Sequence, residues 1–304
     1  MPAERKPGMD NPYHDFVAMP GRPRLAWPDD ARIAFHVVVH LEHFEWEPSP
    51  DAVTFIQDYG AAHHRPPPDI ITYSYREYGN RVGVYGIMQA LDRYGIRATA
   101  PVDAIVATRY PFLIDQCRRR GWEFLGHGLS SKHLITAAMS EEQEAAYIRE
   151  SLSAVERGTG SRPRGWFGVE YSESNRTPDL LAREGLRYVC DWPNDEQPQR
   201  LSVSGGSLYV LPVPADLDDD KIIGQRHVQV AEWARMAEEA FDVLYEEAAG
   251  SGRVFALNLH PFLMGQPFRL KYLDRVLAHV CSRPNVWLAT GSEIIDWYEQ
   301  QQPQ

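Results

Sequence analysis

The chain has 304 residues, 43% of them hydrophobic, and a formal net charge of −11 from 31 basic and 42 acidic residues. This length and apolar content suffice for one large folded domain or two smaller ones. The acidic balance argues against nucleic acid or an anionic membrane as a partner. No apolar run in the sequence approaches the ~18 residues that a membrane-spanning helix needs.

The first thirty residues are rich in proline and polar side chains and show no periodicity. They predict an extended N-terminal arm, residues 1–30, that lies on the surface of the remaining domain or on a partner subunit. This stretch contains no apolar segment typical of a secretory signal, which favours a cytoplasmic protein. The three cysteines, Cys117, Cys190 and Cys281, match no zinc or redox spacing, and we expect reduced thiols.

From residue 31 to 304, strand-like and helix-like segments alternate. Apolar or β-branched runs predict strands at 32–42, 96–102, 122–127, 163–168, 186–192, 207–214, 255–260 and from 286. Amphipathic segments predict helices at 80–95, 110–121, 140–160, 177–185, 228–252 and 268–280, and a last one that begins at Ser292 as its N-cap. The alternation predicts an α/β fold in a single domain, a distorted (β/α) barrel of about seven parallel strands.

Polar side chains stand at the carboxyl ends of several predicted strands, where α/β barrels bind their ligands. His40 and Glu42 end the first strand and, being two residues apart, point into the same space. His127, Asp191 and His260 end three other strands. One such residue alone is more often structural. Several meeting at one rim indicate acid–base chemistry, because unpaired buried polar groups are costly and neighbouring imidazoles and carboxylates shift each other's pKa.

Five segments resemble, in the same order, the motifs of the polysaccharide deacetylase family. They read SYREYGNRVGVYGIMQALDRYGIRAT, WEFLGHG, RPRGWFG, CDWPNDEQP and LNLHPFLMGQPFRLKYLDRVL. Within the family the chain looks most like the branch with allantoinase activity, which opens a cyclic ureide ring. The resemblance implies a distorted parallel barrel, hydrolysis of a non-peptide C–N bond through a tetrahedral intermediate, and commonly a homotetramer.

The resemblance also implies roles for individual residues. His260 matches the strand-end histidine that protonates the leaving nitrogen, and Glu42 falls in the first acidic motif, as base or as metal ligand. His127 matches the first histidine of a His-x-x-x-His metal motif, whose second position is Ser131 here, so that only the nearby His133 offers a substitute. We therefore expect either no metal or a weakly bound divalent ion, zinc if any, held by Glu42, His127 and His133.

The remaining candidates are predicted to surround this centre. His40 and Asp191 are further catalytic candidates, and Asp191 matches the Asp-Trp strand end of the family. The aromatic rings near the rim suit a small flat substrate, although part of them must belong to the core or to a subunit interface. Substrate-binding roles are predicted for Tyr75, Glu77, Arg81, Trp166, Trp192 and Asn258.

The function predicted first is a hydrolase that opens a small cyclic amide, ureide or imide. The alternative is an N-deacetylase of acetylated amino sugars, which the missing secretory signal and carbohydrate-binding appendages disfavour. A third possibility is a barrel without catalysis that serves binding or assembly, and the presence of both Glu42 and His260 counts against it. The expected partners are a small substrate and further copies of the chain in a tetramer, without nucleic acid or membrane.

Overall fold

The computed structural model describes residues 11–47 and 68–301. Its frame is one nine-stranded sheet. The strands are β1 Ile33–Val39, β2 Thr99–Val102, β3 Glu123–Gly126, β4 Gly165–Trp166, β5 Tyr188–Val189, β6 Gln199–Leu201, β7 Leu208–Val210, β8 Arg253–Leu259 and β9 Val286–Leu288. β6 pairs antiparallel with β7, whereas the other pairings are parallel.

The sheet runs in the order β6-β7-β5-β4-β3-β2-β1-β8, with β9 paired to β1. β1 and β8 are the longest strands and pair along seven residues, from Ile33 opposite Arg253 to Val39 opposite Leu259. The sheet curls on itself, and a single parallel bridge between Asp218 and Asn258 links the segment after β7 to β8. This curled half-barrel confirms the predicted α/β barrel with a distorted, incompletely hydrogen-bonded wall.

Helices cover the outside of the sheet. They are α1 Ile70–Tyr78, α2 Val84–Arg93, α3 Ala104–Arg109, α4 Pro111–Arg119, α5 Glu141–Thr159, α6 Thr177–Arg183, α7 Val230–Glu247, α8 Pro261–Met264, α9 Pro267–Cys281 and α10 Gly291–Gln300. A π-helical turn, Gly79–Gly83, joins α1 to α2, so that helical structure begins ten residues before the predicted start at residue 80. The capping box predicted at Ser140 is present, but the last helix is capped by Thr290 rather than Ser292.

Two further differences concern strands. β4 and β5 have two residues each, because the chain leaves the sheet soon after Gly165 and Tyr188 meet. A Cβ at Gly165 would lie 2.4 Å from the Tyr188 ring, so this close pairing requires glycine. β6 was not predicted, because its residues Gln199–Leu201 are largely polar and precede a Ser-Gly turn.

The described part of the N-terminal arm, residues 11–30, lies on the barrel of its own chain. Trp27 is buried and donates its indole N–H to the carbonyl of Arg253 at 2.9 Å. Arg22 binds both carboxylate oxygens of Asp195 at 2.6 Å. These contacts with late parts of the chain tie the arm to its own domain, as one of the two predicted arrangements requires.

Two predictions from the composition concern the cysteines and the apolar content of the helices. All three cysteines are free, and burial raises the pKa of Cys117 to about 12, which makes this thiol unreactive. Among residues 11–47 and 68–301, no helix is both long and apolar enough to cross a bilayer.

Candidate active site

Three predicted residues meet at the carboxyl end of the central strands. His40 and Glu42 directly follow β1, and His127 directly follows β3, the next strand but one in the sheet. His127 Nε2 lies 3.1 Å from Glu42 Oε1 and 3.4 Å from His40 Nδ1. The parallel strands thus bring two imidazoles and one carboxylate, distant in sequence, to one point.

The hydrogen bonds of His40 identify its tautomer. The amide group of Asn258 donates from Nδ2 to Asp218 at 2.8 Å and to the Tyr171 hydroxyl at 3.1 Å, which leaves Oδ1 as an acceptor. His40 Nε2 lies 2.7 Å from that Oδ1 and must carry the proton. Its Nδ1 therefore presents a lone pair towards His127.

The same reasoning applies to His127. Its Nδ1 donates to the backbone carbonyl of Phe167, so that Nε2 also presents a lone pair. Lone pairs of His40, His127 and Glu42 then face one another, with all three ligand atoms within 4.8 Å. Such a set repels itself unless a cation or proton donors lie between. Two histidines and one glutamate, each histidine held by a second hydrogen bond, are a known ligand set of catalytic zinc.

This donor set differs from the one predicted. His133 lies in the loop after β3 and hydrogen-bonds through Nδ1 to the Ser130 hydroxyl at 2.7 Å. Ser131 donates its hydroxyl to the carbonyl of His43 at 2.9 Å. The loop thus satisfies its own polar groups, and His40 replaces His133 as the third potential ligand. The donor atoms that converge are therefore those of His40, Glu42 and His127 rather than those of the predicted set Glu42, His127 and His133.

His260 lies directly above this centre. Its ring stacks on that of His40, with centroids 4.4 Å apart and planes 6° apart. Its Nδ1 lies 2.7 Å from Asp219 Oδ1 and 3.7 Å from Asp218 Oδ1. Asp219 also accepts the backbone N–H of His260, at 2.9 Å. The ring is thereby oriented with Nδ1–H on Asp219, which leaves Nε2–H for a substrate.

The charges of these groups follow from burial and from each other. Burial, aided by the neighbouring histidines, lowers the pKa of His40 well below its usual range. Burial opposes the charging of His260 too, but the carboxylates of Asp218 and Asp219 outweigh it and raise its pKa to about 10. Burial likewise disfavours ionised Glu42, yet the adjacent His127 and the charge of His260 hold its pKa below the usual range. At neutral pH the site combines neutral His40, carboxylate Glu42 and imidazolium His260.

Two small hollows open on either side of His40 and Glu42. The first hollow has about 270 Å³, including space open to solvent, and is lined by His40, Glu42, Phe44, Arg76, Gly79, Asn80, Ser131, Pro261 and Phe262. The second hollow has about 240 Å³ and is lined by His40, Glu42, Phe167, Glu170, Tyr171, Asp218, Asp220, Lys221 and His260. Glu170 and Tyr171 both have positive φ, near 56° and 58°, a strain typical of functional sites.

The predicted substrate-binding residues of α1 and the π-helical turn lie outside these linings. Glu77 and Arg81 pair with each other at 3.5 Å, and Arg81 is 69% exposed. Tyr75 packs edge-on against Phe262, which does line the first hollow. Asn258 lies in the hydrogen-bond network that fixes His40.

The other predicted rings and Asp191 lie behind the site. Trp166 is fully buried in the apolar core and packs so closely that Gly126 has no room for a Cβ. Trp192 packs on the N-terminal arm through Tyr13, with ring centroids 6.0 Å apart. Asp191 accepts the backbone N–H of Gly168 at 2.7 Å and faces neither hollow. The structure thus places these three side chains in the support of the site rather than on its surface.

Asp191 forms a buried acid pair with Glu173. Burial and mutual repulsion raise the pKa of Asp191 well above its usual range, and burial raises that of Glu173 to about 7. Glu173 also accepts the indole N–H of Trp192 at 3.1 Å. The two carboxyls can share one proton, which stabilises the loops behind Phe167.

Sequence reasoning missed several residues of the site, among them Asp218, Asp219, Arg76 and Asn80. Asp218 and Asp219 belong to the run Asp-Leu-Asp-Asp-Asp, residues 216–220, which is typical of a solvated loop. Arg76 and Asn80 line the first hollow, whereas their neighbours Glu77 and Arg81 were selected. Their spacing of four residues is a helical signal, but it was not used because the helix was predicted to begin only at residue 80.

Comparisons with known proteins find sequence relatives and similar solved structures. Residues 70–189 match the family model described as polysaccharide deacetylase. A "Putative polysaccharide deacetylase" of Schizosaccharomyces pombe is 24% identical, over 95% of this chain and 98% of its own length. Two crystal structures each cover 93% of the chain. A probable polysaccharide deacetylase from Pseudomonas aeruginosa PAO1 has 26% identity, 96% coverage of its own chain and a TM-score of 0.83. Puue allantoinase has 27% identity, 95% coverage of its own chain and a TM-score of 0.84.

The similar proteins indicate that the chain is a hydrolase of the class that acts on carbon–nitrogen bonds other than peptide bonds. The predicted enzyme class is therefore confirmed. Within this class the chain is similar to the polysaccharide deacetylase family, which supports the broader part of the resemblance. The allantoinase branch is indicated by one of these neighbours alone.

Proposed function

We propose that the protein hydrolyses an amide C–N bond of a small substrate at the centre formed by His40, Glu42, His127 and His260. One observation carries this proposal. Three lone-pair donors converge on one point, and a protonated histidine stacks directly above them. Attack on an amide needs a bound, activated water on one side and a proton for the leaving nitrogen on the other.

The residues divide these tasks. Either His40 Nδ1 or His127 Nε2 accepts a hydrogen bond from the attacking water, and the ionised Glu42 is positioned to accept the other proton of that water. The imidazolium of His260 stabilises negative charge on the carbonyl oxygen and then donates its Nε2 proton to the leaving nitrogen. Asp219 keeps the ring of His260 oriented and charged during both events.

The same residues fit the metal that the family typically uses. His40, Glu42 and His127 would hold a divalent ion such as zinc, and Asn258 and the Phe167 carbonyl would orient the two histidines. When bound, such an ion supplies Lewis-acid polarisation of the carbonyl and lowers the pKa of water. In that case Glu42 is a ligand.

We propose N-deacetylation of a small acetylated amino sugar as the reaction. The matching family model and the relatives described as polysaccharide deacetylases support this alternative better than the ring opening that the sequence put first. A donor set that fits a catalytic metal supports it as well.

Ring opening of a cyclic ureide or amide is the second candidate. Similarity to an allantoinase over 93% of the chain, with a TM-score of 0.84, favours it. Both reactions use the same water attack and the same proton donor. Deacetylation releases acetate and an amine as separate products, whereas ring opening leaves both new groups in one molecule.

The proposal is tested with four purified proteins: wild type, Glu42→Gln, His260→Ala and the remote exposed variant Arg275→Met. Each is incubated, with and without added zinc, with N-acetylglucosamine, short N-acetylated oligosaccharides, allantoin and hydantoin. Release of acetate and ring opening are measured. We expect Glu42→Gln and His260→Ala to lower kcat by about 10²–10⁴-fold, because each removes a group that acts in the chemical step.

The control variant should keep wild-type rates, since Arg275 lies on α9 and pairs with Glu238 on the surface. Activity of a folded His260→Ala protein within three-fold of wild type would contradict the assigned proton donor. Acetate release without ring opening would favour the first candidate, and the reverse result would favour the second.

A further inference from the structure

Arg76 lies on the wall of the first hollow, beside the catalytic carboxylate. Its guanidinium stacks on the Phe262 ring at 4.0 Å from the centroid. Its closest approach to Glu42 is 3.8 Å, from Nη1 to Oε2, which is too long for a hydrogen bond. Stacking thus determines the position of the guanidinium, while its N–H groups are not used by Glu42.

Arg22 provides an internal reference, because its side chain has the same 19% exposure as that of Arg76. Arg22 donates in bidentate fashion to Asp195, with both distances 2.6 Å. Within residues 11–47 and 68–301, Arg76 donates no hydrogen bond and has only its two ring contacts and the long ion pair. None of the Arg76 nitrogens is among the buried unpaired atoms of the described residues, so its N–H groups reach solvent and are open to a ligand.

The chain holds this guanidinium rigidly next to the reacting atoms. Asn80, one helical turn after Arg76, donates its side-chain amide to the backbone carbonyl of Glu42 at 2.7 Å. Helix α1 and the catalytic carboxylate are thereby linked. A ligand group bound by Arg76 would be positioned relative to the bond that is cleaved.

The two hollows differ in charge. Phe44, in the first hollow, lies between two cations, with Lys132 Nζ 4.0 Å and Arg76 Cζ 5.4 Å from its ring centroid. The second hollow is lined instead by Asp218 and Asp220, together with His260 and an ion pair of Lys221 with Glu170. An anionic substituent is therefore favoured in the first hollow and disfavoured in the second.

We propose that Arg76 is a specificity-determining residue that binds a carboxylate carried by the substrate in the first hollow. The inference rests on the proposed hydrolysis and narrows its substrate class to small N-acyl or cyclic amide compounds with a carboxylate substituent. The planar fork of guanidinium matches a carboxylate bidentately, whereas an ammonium group offers only a point charge.

The test uses two matched pairs of compounds that differ by a carboxylate. N-acetylmuramic acid is compared with N-acetylglucosamine, and hydantoin-5-acetic acid with hydantoin. The variants are Arg76→Met, which keeps an apolar stem for Phe262, and Arg76→Lys, which keeps the charge without the fork. Arg93→Met serves as control, because Arg93 is 53% exposed on α2 and pairs with Asp274.

Hydrolysis and binding are measured separately, by kcat/KM and by titration calorimetry, on proteins whose melting temperatures match that of wild type. In Arg76→Met we expect a 10- to 100-fold loss for the carboxylated member of the active pair and a change below three-fold for the uncharged member. Arg76→Lys should lie between Arg76→Met and wild type, and Arg93→Met should equal wild type.

Equal losses for both members of a pair, or no loss for either, would overturn the inference. Binding of a carboxylated compound that needs Arg76 but leads to no hydrolysis would support the inference and contradict the proposed function. Hydrolysis that does not depend on Arg76 would support the proposed function and contradict the inference. If wild type neither binds nor hydrolyses any of the four compounds, both proposals fail.

Discussion

His36 in strand β1 and His40 directly after it lie only four residues apart in extended chain, yet their environments differ. His40 hydrogen-bonds Asn258 at 2.7 Å, faces His127 and stacks on His260. His36 is also fully buried, but within residues 11–47 and 68–301 neither of its ring nitrogens has a hydrogen-bond partner. It lies lower in the barrel, beside Ala256 of β8.

Burial alone does not separate the two residues. It is the largest cause that lowers the pKa of each, to about 4 for His36 and well below the usual range for His40. The difference lies in the neighbours: Asn258 orients His40 towards a carboxylate and two further imidazoles, whereas apolar strands surround His36. A buried histidine is thus part of a site when its hydrogen bonds leave one lone pair facing other reactive groups.

The largest expected effect is a difference in kcat between two variants, in which His40 or His36 is replaced by leucine. His40→Leu removes a lone pair at the centre and leaves Asn258 Oδ1 without its donor, so that kcat should fall by about 10²–10⁴-fold. His36→Leu keeps the shape of a buried side chain and touches none of the catalytic groups, and kcat should stay within two-fold. Steady-state kinetics on the substrate found active would check both variants. A large loss of kcat in His36→Leu would contradict the proposed difference in role between the two histidines.

The acid stability of the fold tests His36 more directly. Its pKa is about 4 in the folded chain against 6.5 in the unfolded one, so that the unfolded state binds more protons between these values. The stabilisation by neutral His36 is complete above pH 6.5 and is lost as the pH falls towards 4. The loss is about 3 kcal/mol, at 1.36 kcal/mol per pKa unit.

In His36→Leu this loss should disappear. Urea unfolding of wild type and variant at pH 7 and pH 4 gives the four free energies of unfolding. We expect the variant to lose about 3 kcal/mol less than wild type between the two pH values. Parallel losses in both proteins would mean that His36 has a proton-accepting partner.

A smaller effect is expected on zinc affinity when Asn258, the hydrogen-bond partner of His40, is replaced and the proposed ligands are kept. Asn258→Leu releases the ring of His40 and should weaken zinc binding by about 10- to 100-fold, as is usual for groups that orient a ligand. His133→Ala should leave zinc affinity unchanged, since His133 bonds Ser130 instead. Competition with a chromogenic chelator measures both. Weaker binding in His133→Ala alone would restore the ligand set that the sequence predicted.

The fold was predictable because its signals are local. Apolar runs at 32–42 and 255–260 mark β1 and β8, and helical periodicity marks most of the helices between the other strands. The antiparallel β6 was not predictable in this way, since its residues Gln199–Leu201 have no apolar run and owe their strand to pairing with β7.

The centre of the site was predictable in part, because its residues follow strands that the sequence marks locally. His40, Glu42, His127 and His260 follow strands, and parallel strands bring their carboxyl ends together whatever the exact register. Which nitrogen faces which atom was not predictable, because the tautomer of His40 depends on Asn258. Arg76 was overlooked because the phase of a helix cannot be read until its first residue is known.

The contacts of the N-terminal arm have a consequence for synthesis on the ribosome. Residues 11–30 leave the ribosome before their partners do, since Arg22 pairs with Asp195, Trp27 bonds the carbonyl of Arg253, and Ala26 accepts from Gln301. This segment therefore cannot complete its docking until residues up to 301 have been translated.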